Sequence, residues 1–308
     1  MARWCVPDLV AFDGLGFAQE PAALPAALLA ALRQEVDALL AGLQPLLPAT
    51  DLLPGPAGVG HVGTPEGRSI IRVDGLDTRP GLASVRAWLG SPVLRAWATA
   101  LVEDPVLTQV DLVLRRRGDG HVIAWHQDAV YPRTHRHAAL GLALDDTAGG
   151  DGDLLVLPGS QRQVQDLCAL EDAHGFAPPG LARIAPRAGD LVIHDAMLVH
   201  GSLPLVERPQ RRTLYAYVDS EARLRATEPA SAAWVAWRRS LWDAAASAWA
   251  AFEAGHPHGC RAEWPVDGPP RRRPPDMAGN YCIRLRGQAL GNTAERFGAG
   301  LRDGSTGG

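Results

Sequence analysis

The chain contains no lysine: its 30 Lys+Arg residues are all arginine. Schiff-base catalysis, pyridoxal phosphate attachment and a P-loop each need a lysine, so all three are excluded. Any clamp for a carboxylate must be arginine, whose planar fork suits two-pronged pairing. Richness in Ala, Arg, Gly and Pro without Lys is what GC-rich codons give, and that accounts for the composition as a whole. Cysteine is also scarce. The 4 present (Cys5, Cys168, Cys260, Cys282) form no C-x-x-C pair. The expectation is no disulfide framework, no thiolate zinc site and a reducing cytoplasm. Long apolar runs are missing too: Pro21 to Leu43 is broken by Pro25, Arg33, Gln34, Glu35 and Asp37, so no membrane span is expected. The N-terminus lacks the pattern of a signal peptide. A net charge of only -4 implies neither nucleic acid nor an anionic membrane as partner. What is present is a 308-residue chain with 46% hydrophobic residues, enough for one large core.

Helical signals lead the chain. Phe12 to Phe17 reads as an opening strand or turn, and Pro21 to Leu43 as an amphipathic helix. Residues 51–68 are Gly/Pro-rich and predict a loop, followed by a short strand at Ser69 to Val73. Gly81 to Leu89 and Pro92 to Glu103 predict two short helices. From Val106 the pattern changes to short β-branched or aliphatic runs: Val106 to Arg115, His121 to His126, Ala138 to Leu144, Leu154 to Leu157, Asp190 to His194 and Thr213 to Val218. Turn formers separate them, which indicates an all-β sandwich or barrel. Ser231 to Gly255 returns to helix, with Trp234, Trp237, Trp242 and Trp249 at packing spacing. Residues 265–275 read as an extended Pro/Arg segment, Tyr281 to Arg286 as a late strand or lid, and Asp303 to Gly308 as a frayed end.

The chemistry-bearing pattern is Trp125-His126-Gln127-Asp128, followed far downstream by His200-Gly201-Ser202 and Arg211. On an extended strand, residues i and i+2 share a face about 6.5–7 Å apart. His126 and Asp128 can therefore address one ion while Gln127 turns away. A third donor must come from another strand. His200 meets that need, with His194 on the same stretch as a competitor. Two imidazoles and one carboxylate are the donor set of non-haem iron(II) oxygenases, and an arginine nearby suits the far carboxylate of a 2-oxo acid. Arg211 and its neighbour Arg212 both qualify for that role. Arg115-Arg116-Arg117 and His135-Arg136-His137 flank the motif and read as solvated loop charges rather than as contacts for an acidic substrate.

The pieces WHQD at 125–128 with Tyr131, LLVLPGSQR at 154–162, AGDLVIHDAMLVHGS at 188–202 and RPQRRTLYAYV at 208–218 occur in an order that resembles the phytanoyl-CoA dioxygenase family. Phe12 to Leu40 is similar to that family's opening strand and helix. The resemblance covers roughly the first two-thirds of the chain. It implies a mainly β fold with flanking helices around a double-stranded β-helix (jelly-roll, cupin-like) core. It further implies iron(II) held by His126, Asp128 and His200, and 2-oxoglutarate anchored by Arg211 with Ser202 as helper. Gln127 and Arg115 are weaker candidates for co-substrate contact. One departure is the absence of an Asn often seen after the His-Gly-Ser triplet; Leu203-Pro204-Leu205 stands there instead.

The implied activity is a dioxygenase that uses O2 to hydroxylate or otherwise oxidise an unactivated C–H bond of a small molecule in specialised metabolism, releasing succinate and carbon dioxide. A carboxylate at 128 favours hydroxylation, desaturation or ring closure over halogenation. The implied domains are 1–262, the oxygenase domain with its N-terminal helices and Trp-rich helix, and 263–308, a Pro/Arg-rich segment and tail serving as a lid. The rivals are a cupin-like metal enzyme that does not use 2-oxoglutarate and a non-catalytic jelly-roll binding protein.

Overall fold

The computed structural model describes residues 7–49, 55–131, 134–147, 151–227, 231–255, 264, 268 and 279–282. The Pro/Arg stretch at 265–275 lies outside the described residues apart from Gly268. The tail at 303–308 and the boundary at 262/263 also lie outside them.

The N-terminal third follows the expected punctuation with two differences. Asp8 caps α1 (Leu9–Leu15), accepting from the Ala11 amide at 3.0 Å, so the FDGLGF stretch is a helix running into β1 (Phe17–Glu20). After Pro25 comes α2 (Ala26–Leu43), whose Leu28, Leu32, Val36 and Leu40 form one buried stripe. The Gly/Pro-rich stretch expected as a loop contains a strand, β2 (Val59–Thr64), which turns back onto β3 (Gly67–Val73). Then follow α3 (Ala83–Leu89) and α4 (Pro92–Leu101), with Pro92 in the first turn where its missing N–H is harmless.

The β region comprises β4 (Pro105–Arg116), β5 (Ile123–Gln127), β6 (His137–Ala143), β7 (Leu154–Val156), α5 (Leu167–His174), β8 (Ala182–Ile184), β9 (Leu191–Asp195), β10 (His200–Ser202) and β11 (Gln210–Ser220). Helices α6 (Glu221–Thr227) and α7 (Ala232–Glu253) follow, then β12 (Asn280–Tyr281). Two antiparallel sheets result, ordered β1-β9-β6-β11-β4-β3-β2 and β12-β5-β10-β7-β8. This is the expected mainly β, helix-flanked jelly roll.

Alternation along the large sheet separates core from site. On one face Leu112, Leu114, Leu140, Leu142, Ile193, Leu214 and Ala216 join the helices in the main core, with Trp88, Trp97, Trp242 and Trp249. The opposite face carries Asp111, Arg115, His194, Arg211 and Tyr215, at the in-between positions of the same strands. Gly141 sits on that inner face because any Cβ there would lie 2.7 Å from the Tyr215 ring.

One expectation is corrected. Cys168 and Cys282 form a disulfide across a sequence separation of 114, so the argument for a reducing compartment loses its premise. Separately, the described residues after 262 pack on the rest of the fold. The Trp264 indole donates to the Asp77 carbonyl and lies against Arg86, while β12 extends the small sheet. Among the described residues no helix is long and apolar enough to cross a membrane.

Candidate metal and co-substrate site

The site begins with strand pairing. In the antiparallel register of β5 and β10, His126 and His200 are direct partners, which brings residues distant in sequence side by side. Their ring centroids are 4.0 Å apart. Strand β5 ends at Gln127, and Asp128 stands on the bend after it, still on the His126 side. Trp125 points the other way, stacks on Phe176 at 5.3 Å and donates its Nε1–H to the Gly175 carbonyl at 2.8 Å.

Each histidine has its tautomer set by the backbone. Nδ1 of His126 donates to the Ala124 carbonyl, and Nδ1 of His200 to the Leu198 carbonyl, both at 2.9 Å. Both Nε2 atoms are then left as lone-pair donors. They face Asp128 Oδ1 at 3.4 Å and 3.8 Å. One ligand atom from each of the three residues falls within 4.8 Å of the others. Three lone pairs converging without a hydrogen between them call for a cation, and two imidazoles with one carboxylate suit ferrous iron. The donor set therefore fits the metal.

His194 does not join that triplet. It approaches the other carboxylate oxygen, with Nε2 3.2 Å from Asp128 Oδ2, and its ring meets His200 at 4.6 Å. It holds the carboxylate from behind and leaves Oδ1 turned to the other two histidines. Burial pushes the Asp128 carboxyl up, but the surrounding imidazoles, His200 foremost, outweigh it and hold it well below its ordinary value. Burial, with His126 beside it, pushes His200 well below the usual imidazole range, so the ring is neutral and ready to donate.

The arginines separate by alternation. Arg212 faces the helices and is held by Asp145 at 2.8 Å and by Asp37 of α2. Arg211 faces the inner surface, directly opposite Arg115 across the strand pair. Arg211 is buried and donates Nη1–H to the Gly152 carbonyl, while its Nε has no hydrogen-bond partner. Arg115 was expected among solvated loop charges. It is 1% exposed, and none of its three nitrogens has a hydrogen-bond partner. Burial, then Arg211, lowers it to about 9. Burial, then Arg115, lowers His121 to about 4. Two like charges opposed inside a protein are destabilising unless an anion lies between them. Ser202, two residues beyond His200 on the same side of β10, adds a buried hydroxyl with no hydrogen-bond partner.

Gln127 turns away from the triplet. Its Nε2 donates to the carbonyls of Gln163 at 3.0 Å and Met197 at 2.6 Å. Its Oε1 accepts from the Gln165 amide at 3.1 Å and from Asn280 at 2.8 Å. All four positions of the amide are used, so it has nothing left for a co-substrate. Of the other flanking charges, Arg136 pairs with Asp13 at 2.6 Å, Arg117 donates to the Glu207 carbonyl at 3.2 Å, and His137 is buried with Asp219 at 3.9 Å.

Sequence reading gave no role to Tyr215 and placed Tyr281 only at the start of a late strand or lid. Tyr215 meets His194 edge-on at 6.0 Å, and Tyr281 stacks on His126 at 5.3 Å. The small residues Ala139, Gly141 and Ala143 at alternate positions opposite β11 were an available hint that a bulky inner-face ring needed room.

Comparison with known proteins places the chain in a family and a fold. The family model for phytanoyl-CoA dioxygenase (PhyH) matches residues 12–212. AviO1 from Streptomyces viridochromogenes Tue57 superposes with a TM-score of 0.58 at 25% identity, covering 71% of this chain and 97% of that one. EctD from S. alaskensis, solved with 2-oxoglutarate and 5-hydroxyectoine, gives 0.54 at 18% identity, covering 69% and 75%. SnoK, a non-heme alpha ketoglutarate dependent carbocyclase from nogalamycin biosynthesis, gives 0.53 at 17%, covering 69% and 82%. The last two likenesses speak to fold alone. No curated protein matches the chain.

Proposed function

The chain belongs to the phytanoyl-CoA dioxygenase family, and on that premise we propose that it is an iron(II)- and 2-oxoglutarate-dependent dioxygenase oxidising an unactivated C–H bond of a small molecule in specialised metabolism. Succinate and carbon dioxide are the co-products. One observation carries the reading. Three converging lone pairs share an inner surface with two buried guanidiniums, neither of which forms an ion pair among the described residues.

His126, Asp128 and His200 would hold iron(II), and the metal when bound supplies O2 activation coupled to 2-oxoglutarate decarboxylation. His194 fixes the orientation of Asp128. Arg211 receives the far carboxylate of 2-oxoglutarate in a charge-assisted bond, Arg115 adds a second positive group, and the free Ser202 hydroxyl donates alongside them. Binding of that anion relieves the opposition of the two arginines. The three donor side chains are only 8–17% exposed, which limits bulk water around them. Asp128 as a ligand favours hydroxylation, desaturation or ring closure over halogenation. The whole described chain is read as one catalytic unit, with the residues after 262 belonging to it.

The test is anaerobic. Purified chain with iron(II) and 2-oxoglutarate should show a metal-to-ligand charge-transfer band. Candidate small molecules that perturb that band should then drive succinate formation when O2 is admitted. No band and no 2-oxoglutarate-dependent succinate would overturn the reading, and O2-dependent product without 2-oxoglutarate would favour the cupin-like alternative.

A further inference from the structure

The family match ends at residue 212, yet the chain returns to the candidate metal centre much later. Strand β12 lies beside β5, with Asn280 opposite Gln127 and Tyr281 opposite His126. The Asn280 amide donates to Gln127 Oε1 and to the Gln165 carbonyl, each at 2.8 Å. Cys282, 5% exposed, is joined to Cys168 of α5. Gly279 passes so close that an added Cβ would lie 2.8 Å from the Gln127 carbonyl and 2.9 Å from that of Asp128. A two-residue strand is marginal by itself. These independent ties hold it against the strand that carries His126 and leads directly into Asp128.

The result is a ring stack. The Tyr281 and His126 rings are 6° from parallel with centroids 5.3 Å apart. Torsion about the outer bond of a histidine side chain is broad and roughly two-fold. The bond from Nδ1 to Ala124 restrains it once, and a flat phenol against the imidazole face restrains it again. An imidazole bound to a cation becomes electron-poor, so stacking on the electron-rich phenol strengthens in the loaded state.

We infer that residues 279–282 are a built wall of the active site, a disulfide-tied strap that makes Tyr281 a positioning residue for His126. The inference rests on the iron reading of His126. Both can be tested in the full chain with Tyr281→Ala, Tyr281→Leu, Tyr281→Phe and the double variant Cys168→Ser/Cys282→Ser, each checked for folding by circular dichroism.

Loss of the ring in Tyr281→Ala or Tyr281→Leu should raise the iron(II) dissociation constant about 3- to 10-fold, the worth of one aromatic pair. It should also move the charge-transfer band formed with 2-oxoglutarate. Tyr281→Phe should restore both, because the ring and not the hydroxyl makes the stack. Without metal, the double serine variant should speed amide hydrogen exchange along β5. Wild-type iron affinity and band in Tyr281→Ala and Tyr281→Leu would overturn the positioning role. Unchanged β5 exchange in the double serine variant would overturn the strap. If the unaltered chain itself binds no iron(II), the dioxygenase reading fails and the role of Tyr281 falls with it, while the exchange experiment still reports separately on the strap.

Discussion

His126, Asp128 and His200 reach the candidate metal centre through a sheet, whereas Tyr281 reaches it through a tether. The first three sit in or against paired strands in the family-matched part of the chain, and cross-strand register places His200 opposite His126. Tyr281 arrives on a two-residue strand held by a disulfide, one asparagine and a close-packed glycine. Donor positions that tolerate little displacement are set by the backbone hydrogen bonds of a sheet. A wall that only restrains a donor can hang from a few point contacts, and such a wall can vary while the donors stay fixed.

The sharpest way to break this comparison is to remove a donor. Asp128→Ala should abolish turnover and iron(II) binding, read by single-turnover succinate formation and metal titration. The strap variants should only scale the same quantities. Equal losses from Asp128→Ala and Tyr281→Ala would erase the distinction between sheet-borne donors and tethered wall.

The arginines sharpen it next, because adjacent residues of one strand serve opposite faces. Arg211→Ala should raise the KM for 2-oxoglutarate about 100-fold, the scale for truncating one partner of a buried charge pair. Arg115→Ala should raise it about 10-fold, since its contact is the secondary one. Arg212→Ala should leave KM alone and lower stability by up to about 3 kcal/mol, because Asp145 loses its partner. Initial rates and urea unfolding on the three variants check the pattern. A KM effect confined to Arg212 would reverse the assignment of faces.

The same alternation explains what could be read in the sequence. His126 and Asp128 were legible because i and i+2 is a local relation, and Gln127 was correctly turned away by it. Gln127 was also offered as a co-substrate contact; its four partners at 163, 165, 197 and 280 speak against that role, and nothing local foretold them. Arg211 and Arg212 could not be told apart without knowing which face of β11 meets the helices. Arg115 stands in a run of three arginines that looks solvated, and only the length of β4 carries it inside. The hairpin β2–β3 hid in a Gly-rich stretch because pairing partners, not propensity, make those strands. The Cys168–Cys282 bridge joins residues separated by 114 positions, and sequence does not encode such pairings locally.

Gln127 joins the two regions, so it offers a test of moderate size. Gln127→Leu would strip partners from the Gln163 and Met197 carbonyls, the Gln165 amide and Asn280 at once. Stability should fall by about 2–4 kcal/mol, as for several buried groups left unpaired. The KM for 2-oxoglutarate should stay near the unaltered value once the protein is folded. A large KM effect with little loss in urea unfolding would return Gln127 to the co-substrate.

The smallest effect concerns His121, which lies by charge against Arg115. Its imidazole is lowered to about 4 in the fold, first by burial and then by Arg115. An unfolded histidine titrates near ~6.5, so the unfolded chain takes up a proton first as pH falls. The sign follows from linkage. The contribution of this neutral imidazole is fully present above about pH 6.5 and is lost progressively as pH drops toward the folded value, at roughly 1.4 kcal/mol per unit. His121→Asn should therefore flatten the stability curve between about pH 6.5 and 4, because the variant has no imidazole to protonate. Arg115→Met should flatten it in part, since it removes the second cause and leaves the first. Urea unfolding at stepped pH, without metal or co-substrate, measures both slopes. An Arg115→Met curve matching the unaltered chain would mean that the guanidinium does not face His121, and it would weaken the case that both cationic side chains look into one anion pocket.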